Sequence, residues 1–406
     1  MITEWIDWII KMNLVHKYEG GEVQATRIDH GLYMELRAVY GSLTDRLLEM
    51  LTYPPKRLYL RVNTLRAWRE EVIESLRRRG VEVRSDDLLE EAIYIELEGP
   101  YQVRDHGRRV VVDDIAAESL MMGANLYRPG VVAYDVFKKG DVLTAVTKNG
   151  VVVAELEASV SSDQLKSMRR GLVAVNVRPV YRAPPIAELP EFKGGLVYPQ
   201  SFPSMVAGRL VSPGSELVVD LNASPGGKTG HIVQLSRGRA LVVAVDRSVG
   251  KVEKLVENLA RLGLTTNVLP IPFDSRFLDL VTLLENRVDK VLIDPPCTNL
   301  GVRPKLSFKK TLRDAVNLAD YQRQFMKVAR RILRPGGVLV YSTCTLTRVE
   351  NEENVLYATR SLGLEPLDLG WVPRADKVYL DEVTAYRFHP LKDDMPGFFI
   401  AVLRKP

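Results

Sequence analysis

Asp289-Lys290-Val291-Leu292-Ile293-Asp294-Pro295-Pro296-Cys297 is the stretch around which the rest of this chain is organised. Residues 291–293 are typical of a short buried strand, and the two prolines allow neither a strand ladder nor a helix to continue. Asp294 and Cys297 are therefore predicted to lie in a rigid turn at a strand end. In an open α/β sheet, ligands bind at the carboxyl ends of the parallel strands. We expect a functional site at this turn.

A second thiol is predicted at the same edge of the sheet. The chain has two cysteines, and Cys344 lies just past another short apolar run, Val338 to Tyr341. A free cysteine often serves only as a small buried hydrophobe. Both thiols, however, follow strand ends beside polar residues, where an apolar filler is least needed. We therefore interpret the two thiols as a reactive pair.

Composition and charge limit the protein class. The chain has 406 residues, 46% hydrophobic and 26% charged, which is typical of a soluble globular protein with about two or three domains. A net charge of +5, from 56 basic and 51 acidic residues, permits a nucleic-acid partner without requiring one. Two separated cysteines provide neither a disulfide framework nor a four-thiolate zinc site. We expect a reduced, cytoplasmic protein without a metal.

Residues 1–98 are predicted to form a small α+β domain. The apolar residues of segment 1–12 are interrupted by Glu4 and Asp7, which favours a short amphipathic helix over a signal peptide or a membrane span. The basic run at 77–79 is either a set of phosphate contacts or, as we favour, a solvated helix end. The other expected elements are a helix over 32–51, a strand over 57–62, a helix that Thr64 caps and Gly80 ends, and a strand over 92–97.

Residues 99–183 are predicted to be a β-barrel, because short strands alternate with glycine-bearing turns and a single helix near 116–122. Several segments in fixed order resemble the PUA domain, an RNA-binding module. These segments are Val112 to Glu118, Gly123 to Asn125, Pro129 to Val131 and Lys139 to Asp141.

Residues 184–406 are predicted to form a doubly wound α/β domain. Five short apolar runs alternate with helical segments, and the clearest helix covers 312–333 before Pro335-Gly336-Gly337. Two further strands are expected at 384–388 and 398–403. The apolar runs are 217–219, 241–245, 268–271, 291–293 and 338–341.

The first three runs each lead to an aspartate, which predicts a nucleoside cofactor. Asp220 precedes a glycine-rich turn, where glycines let a ligand approach the backbone and the next helix offers free amide groups. Asp246 suits the diol of a ribose and Asp274 suits an adenine, although each carboxylate could instead cap the following helix. A triphosphate-binding P-loop is excluded because Asn222 stands where that motif needs glycine.

This turn resembles the cofactor loop of the Sun-type (NSUN) family of RNA cytosine-5 methyltransferases, which use S-adenosylmethionine. The resemblance continues through Gln200, Gln322, Ser342 to Cys344, Glu350 to Glu352 and Gly397 to Phe399. It implies a Rossmann-like class I methyltransferase domain. The chain departs from the usual family residues at five positions: Asn222, Ser224, Pro295, Thr298 and Asn299. Where Asn299 stands, the family usually has glycine. The implied cofactor-binding residues are Ala223, Ser224, Pro225, Gly226, Gly227, Lys228, Asp246, Lys251, Asp274 and Asp294.

The resemblance also assigns roles at the two thiols. Cys344 is implied to attack C6 of cytosine, Cys297 to allow the adduct to break down, and Asp294 to hold or protonate the ring at N3. The base must leave its stack first, which favours an unpaired or loosely paired target. Arg303 and Lys305 are either phosphate contacts or part of a solvated loop.

A PUA domain between the N-terminal unit and the catalytic domain is an arrangement that resembles the family branch that modifies the tRNA acceptor end at nucleotide 72. We therefore predict an S-adenosylmethionine-dependent tRNA cytosine-5 methyltransferase whose PUA domain reads the terminal CCA, acting as a monomer away from membranes. Ribosomal RNA is the alternative substrate. An inactive RNA-binding assembly factor is a third interpretation, and the presence of both thiols and Asp294 argues against it.

Overall fold

The computed structural model describes residues 15–18, 21–24, 28–280 and 282–406. The helix predicted within residues 1–12 lies outside the described residues. Two short strands, β1 (Val15–Tyr18) and β2 (Gly21–Gln24), pair with each other in antiparallel fashion.

The N-terminal unit is α+β, as predicted, and its sheet has the strand order β12-β3-β5-β4. The helix expected over 32–51 is divided in two, because Gly41 adopts a φ of +57° that starts a 3-10 turn (Gly41–Leu43). Thr64 does not cap the next helix, because that helix begins at Arg69 with Trp68 at its N-cap; the Thr64 hydroxyl accepts a hydrogen bond from Gln234. The elements are α1 (His30–Tyr40), α2 (Thr44–Thr52), β3 (Arg57–Val62), α3 (Arg69–Arg78), β4 (Arg84–Ser85), β5 (Ala92–Glu96) and β12 (Val197–Pro199).

The middle domain has six strands in the order β7-β11-β10-β9-β6-β8. One buried face of helix α4, formed by Ala117, Leu120 and Met121, packs into the apolar core that these strands enclose. The elements are β6 (Arg109–Val112), α4 (Asp114–Met121), β7 (Leu126–Tyr127), β8 (Val131–Tyr134), β9 (Val142–Thr147), β10 (Val152–Ala158), α5 (Ser162–Ser167) and β11 (Leu172–Pro179).

The C-terminal domain is the predicted Rossmann-like unit. Its sheet has the order β15-β14-β13-β16-β17-β21-β20-β19, with β18 also pairing with β21. The first five strands in this order are parallel to each other, and β21 runs antiparallel to β17. The strands are β13 (Leu217–Asp220), β14 (Leu241–Asp246), β15 (Val268–Pro272), β16 (Val288–Ile293), β17 (Leu333–Thr343), β18 (Glu365–Pro366), β19 (Asp376–Leu380), β20 (Val383–Phe388) and β21 (Phe398–Arg404).

Helices cover both faces of this sheet, because successive strand residues point to opposite sides. Val218 and Leu292 pack into one core with helices α7 to α9, and their neighbours Val219 and Val291 pack into another with α10 and α11. The helices are α6 (Pro190–Lys193), α7 (Phe202–Val211), α8 (Gly227–Leu235), α9 (Val249–Leu262), α10 (Leu312–Ile332) and α11 (Glu352–Leu362).

Within the described ranges, no helix combines the length and apolar character needed to cross a lipid bilayer.

Candidate functional site

The two thiols meet at the carboxyl ends of adjacent parallel strands. Strands β16 and β17 pair with Ile293 opposite Tyr341, so the turns that follow them lie side by side. The Sγ atoms of Cys297 and Cys344 are 3.3 Å apart, and both thiols are free. Cys297 is buried, whereas Cys344 is partly open to solvent. The structure therefore brings together two cysteines separated by 47 positions in the sequence.

A buried carboxylate holds the turn that carries Cys297. Glu350 accepts hydrogen bonds from the backbone nitrogen of Thr298 at 2.9 Å, from its hydroxyl at 2.6 Å and from Gln322 at 3.0 Å. Gln322 also donates to the carbonyl oxygen of Pro296 at 2.9 Å. Burial raises the pKa of Glu350. Because both residues next to Cys297 are fixed from beneath, its sulfur occupies a defined position.

Asp294 faces the same site with a cation and a hydroxyl as partners. Lys228 Nζ lies 2.5 Å from Asp294 Oδ2, and the hydroxyl of Ser342 donates to Oδ1 at 3.1 Å. The Lys228 ammonium comes from the first turn of α8, so it joins the glycine-rich turn to the turn of the thiols. A carboxylate with a fixed ammonium partner can hold a polar ring edge or exchange a proton with it.

Asp220 lies beneath the glycine-rich turn. Burial raises its pKa to about 6. The Thr229 hydroxyl donates to one carboxylate oxygen at 2.7 Å, and the backbone nitrogen of Asn222 donates to the other at 3.2 Å. These bonds tie the end of β13 to the turn and to α8, which fixes the loop between them.

A cleft of about 230 Å³ opens between this turn and the segment from Tyr198 to Ser204, which begins in β12. Six of the ten residues predicted for the cofactor line it: Ala223, Ser224, Pro225, Gly227, Lys228 and Asp294. Tyr198 and Ser204 were not predicted to line it, because Tyr198 lies in β12 of the N-terminal sheet and Ser204 in α7, both before the glycine-rich turn in the sequence. The remaining lining residues are Tyr198, Pro199, Gln200, Ser201, Ser204, Asp220 and Asn222.

The glycines are required by close contacts as well as by backbone geometry. Gly226 has a φ of +104°, which favours glycine. A Cβ atom on Gly227 would lie 3.0 Å from the ring of Tyr198. Helix α8 begins at Gly227, so the unpaired amide groups of its first turn lie beside the cleft.

Besides Asp294, three charged residues were predicted outside the turn, and they occupy different positions. Asp246 accepts a hydrogen bond from the backbone of Ser224 at 3.1 Å and forms an ion pair with Lys251 at 3.1 Å, so both border the turn. Asp274 does not line the cleft. It pairs with Arg276 at 2.6 Å, and that contact lowers the pKa of Asp274.

These groups fit the expected S-adenosylmethionine. The buried Oδ1 atom of Asn222 has no hydrogen-bond partner among the described residues, and Asn222 lines the cleft. A buried acceptor of this kind is normally satisfied, and a ligand amino group would satisfy it. Asp246 at the end of β14 suits a ribose diol. In the described part of the chain, no group of three or more His, Cys, Asp and Glu side chains is arranged to hold a metal ion.

Arg303 is not a phosphate contact. Only 2% of its side chain is exposed, and it pairs with Asp394 at 2.7 Å and donates to the carbonyl oxygen of Met50 at 2.9 Å. In the basic run at 77–79, which we favoured as a solvated helix end, Arg79 pairs with Glu191 at 2.9 Å and Arg77 donates to the carbonyl oxygen of Val83, so two of its three side chains have partners within the protein.

The segment that follows Cys297 packs directly on the PUA-like domain. Leu306 belongs to the apolar core of that domain, and its backbone nitrogen donates to Glu118 of α4 at 2.9 Å. Lys309 forms an ion pair with Asp114, the first residue of α4, at 2.5 Å. The middle domain is therefore attached to the chain segment that leaves the thiol site.

Comparison with known proteins gives three family matches that follow the three domains. Residues 32–104 match the ferredoxin-like domain of RsmF/B-like methyltransferases, residues 108–181 match the PUA domain, and residues 209–404 match the 16S rRNA methyltransferase RsmB/F family.

Relatives that match most of the chain extend these results. A tRNA (cytosine(72)-C(5))-methyltransferase of Pyrococcus horikoshii is 38% identical over 91% of this chain and 96% of its own. The tRNA (cytosine(72)-C(5))-methyltransferase NSUN6 of Mus musculus is 31% identical over 79% of this chain and 75% of its own. The crystal structure of NSun6 from Pyrococcus horikoshii with SFG superposes with a TM-score of 0.85 at 35% identity, covering 93% of this chain and 98% of that one.

Proposed function

This chain belongs to the Sun-type, RsmB/F-like family of RNA cytosine-5 methyltransferases, and from that premise we propose that it methylates the cytosine at nucleotide 72 of tRNA. We infer this substrate from the contact between the PUA domain and the segment after Cys297. An RNA end held by that domain is thereby kept at a fixed distance from the two thiols. Nucleotide 72 lies in the acceptor stem, close to such an end.

The chemistry at the thiols follows from the weak nucleophilicity of cytosine C5. Cys344 loses its proton to solvent and its sulfur adds to C6, which makes C5 nucleophilic while the ring negative charge is met by a proton at N3. Asp294 donates that proton to N3, and Lys228, whose Nζ atom lies 2.5 Å from the carboxyl group, balances the charge of the carboxylate that results. After methyl transfer the proton leaves C5, the bond between sulfur and C6 breaks, and aromaticity returns.

Cys297 is proposed to act in that last stage. Its sulfur lies 3.3 Å from Cys344 Sγ, close enough to act on the same ring without being the attacking atom. Its position on the turn held by Glu350 keeps it there throughout the reaction. Removal of the C5 proton or release of the adduct is the step this placement suits.

We propose S-adenosylmethionine as the cofactor, which supplies an electrophilic methyl group. Asp246 would hold the ribose, with Lys251 beside it, and the turn from Ala223 to Lys228 would hold the amino-acid end against the start of α8. Asp274 would lie at the adenine end, where its pairing with Arg276 fixes it.

The remaining parts of the proposal are the CCA contact, the oligomeric state and the location. We propose that the PUA domain reads the terminal CCA of tRNA and that a single chain carries the complete site. All the side chains invoked above come from one chain. Both sulfurs must be thiols for the chemistry, so we propose a reducing, cytoplasmic setting.

The test is methylation of defined RNAs with position mapping. Wild-type protein and S-adenosylmethionine are incubated with tRNA transcripts that carry cytosine or uridine at nucleotide 72, and with ribosomal RNA. We expect 5-methylcytosine at nucleotide 72 of the first transcript only. Methylation of ribosomal RNA with unmodified tRNA would favour the alternative substrate, and no methylation of either would favour an RNA-binding factor.

A further inference from the structure

Asn299 touches both sulfur atoms of the site. Its Oδ1 atom lies 3.0 Å from Cys344 Sγ and 3.1 Å from Cys297 Sγ. The residue stands two positions after Cys297, in the turn that leaves the thiol site. The side chain of Asn299 is thus a polar group in contact with both sulfur atoms.

The backbone at Asn299 explains why this residue type fits. Its φ is +56°, in the left-handed region that glycine and asparagine adopt more readily than other residues. Asparagine can therefore replace glycine here without changing the path of the chain. The consequence is a carboxamide at the point where glycine would leave open space.

The backbone that carries this carboxamide is fixed on both sides along the chain. Before it, Thr298 is held by Glu350 through its backbone and its hydroxyl. After it, Gly301 donates to the carbonyl oxygen of Cys344 at 3.0 Å and accepts from Gly397 at 2.8 Å. A Cβ atom on Gly301 would lie 2.1 Å from the Gly397 carbonyl oxygen, so the two segments are in direct backbone contact.

We propose that Asn299 is a catalytic residue of this chain, whose carboxamide accepts hydrogen bonds from both thiols at rest and, after rotating, donates one to the Cys344 sulfur once that sulfur is a thiolate. A thiol is a weak donor, whereas an N–H donated to an anion forms one of the stronger hydrogen bonds. The net effect favours the thiolate. The identity of the nucleophile rests on the proposed function.

Cys297 is placed to assist the same anion. Its hydrogen bond with Cys344 and its burial raise the pKa of the Cys297 thiol well above the usual range, so it keeps its proton as long as the Cys344 sulfur is not bonded to the substrate. The proton can be donated across the 3.3 Å between the two sulfur atoms. A thiolate at Cys344 would then have two donors, Asn299 and Cys297.

The test compares Asn299→Gly, Asn299→Asp and the wild type. Glycine keeps the left-handed backbone and removes only the carboxamide, and aspartate keeps an acceptor but cannot donate. Asn267→Gly is the matched control, because Asn267 also has a φ of +57° and donates to Gly238, away from the thiols. Equal melting temperatures would establish that all variants fold.

The first readout is the rate at which iodoacetamide alkylates Cys344 at fixed pH without RNA or cofactor, followed by mass spectrometry of its peptide. We expect Asn299→Gly to slow alkylation roughly tenfold, the effect of losing one hydrogen bond to a charged group, and Asn299→Asp to slow it further. Asn267→Gly should match the wild type. Alkylation of Asn299→Gly at the wild-type rate would overturn the inference, and so would a wild-type rate for Asn299→Asp.

The second readout is methyl transfer to tRNA, in which Asn299→Gly should lower kcat by a similar factor and leave KM for tRNA unchanged. A raised KM with unchanged kcat would overturn a role at the sulfur. Slower alkylation in a protein whose wild type methylates no RNA would support the hydrogen bond and overturn the proposed function, so the two can fail separately.

Discussion

Arg61 of β3 donates a hydrogen bond of 2.5 Å to the carbonyl oxygen of Gly227, the residue at which α8 begins. A second bond of 2.6 Å reaches the side-chain oxygen of Gln200. Both acceptors line the cleft, while Arg61 itself is fully buried in the N-terminal sheet. The N-terminal domain thus contributes directly to the position of the cofactor turn.

Arg61→Lys should weaken cofactor binding, because both bonds come from the Nη1 atom and the lysine side chain is one atom too short to place its ammonium there. Loss of one net hydrogen bond, about 1 kcal/mol, corresponds to a roughly fivefold rise in KM for S-adenosylmethionine. Isothermal titration with the cofactor and steady-state kinetics measure this change. Arg84→Lys, on the exposed edge strand β4, is the control and should behave as wild type. A loss of kcat with unchanged cofactor affinity would contradict this role.

Cys344→Ala should abolish methyl transfer, since the sulfur that adds to C6 is removed. The expected loss of kcat is at least about a thousandfold, as for other covalent nucleophiles. Transfer of tritiated methyl groups to tRNA measures it, and tRNA binding by filter retention should persist. Substantial remaining activity would rule out Cys344 as the attacking group.

Cys297→Ala should instead trap the enzyme on its substrate. The nucleophile remains, but the group proposed to complete breakdown of the adduct is missing. We expect a covalent complex of protein and RNA that survives a denaturing gel and needs both tRNA and S-adenosylmethionine. The double variant that also lacks Cys344 is the control and should show no complex. Rapid turnover by Cys297→Ala without any complex would refute the assigned role.

Much of the architecture follows from local patterns in the sequence. The apolar runs became β13 to β17, and the aspartates after them lie at strand ends as expected. Short buried strands with a polar residue just beyond them carry that signal in a few adjacent residues. The pairing of Cys297 with Cys344 followed from the same rule.

Contacts between distant segments carried no such signal. The bond from Arg61 to Gly227 joins positions 166 residues apart, and nothing in either neighbourhood indicates it. Arg303 looked like a loop residue open to RNA, but α2 and Asp394 bury it. Thr64 resembled a helix cap, yet α3 begins only at Arg69, and the Thr64 hydroxyl accepts a hydrogen bond from Gln234 of α8. In each case tertiary packing decided the outcome that local sequence left open.

His231 makes the stability of the protein depend on pH. It is fully buried with its Nε2 atom 2.9 Å from Glu91, and burial lowers the pKa of His231 to about 4. The unfolded chain takes up a proton near pH 6.5, whereas the folded chain does not until about pH 4. The contribution of His231 is therefore complete above pH 6.5 and is lost as the pH falls toward 4.

Glu91 acts in the same direction at lower pH. Burial alone would raise its pKa, but hydrogen bonds from Arg209 and His231 hold the pKa of Glu91 below its usual range. The stability that these bonds contribute is therefore also lost as the pH falls. The wild-type protein loses unfolding free energy between pH 7 and pH 5. In His231→Gln this loss should be smaller by about 2 kcal/mol, because the titrating imidazole is gone. Guanidinium denaturation at the two pH values measures it, with exposed His30→Gln as the control. An unchanged pH dependence would show that His231 does not titrate in this way.

The terminal CCA of tRNA provides the test of the link between the PUA domain and the thiols. If that domain holds the acceptor end, a transcript lacking CCA should lose about tenfold or more in kcat/KM, because each lost base contact costs roughly 1–3 kcal/mol. Asp114→Asn should mimic part of this loss on intact tRNA, because it removes the ion pair with Lys309 that attaches the domain beside the site. The exposed pair of Lys166 and Asp163, elsewhere in the domain, provides Asp163→Asn as the matched control. Equal kcat/KM for the two transcripts would remove the PUA domain from substrate selection and make ribosomal RNA the better candidate.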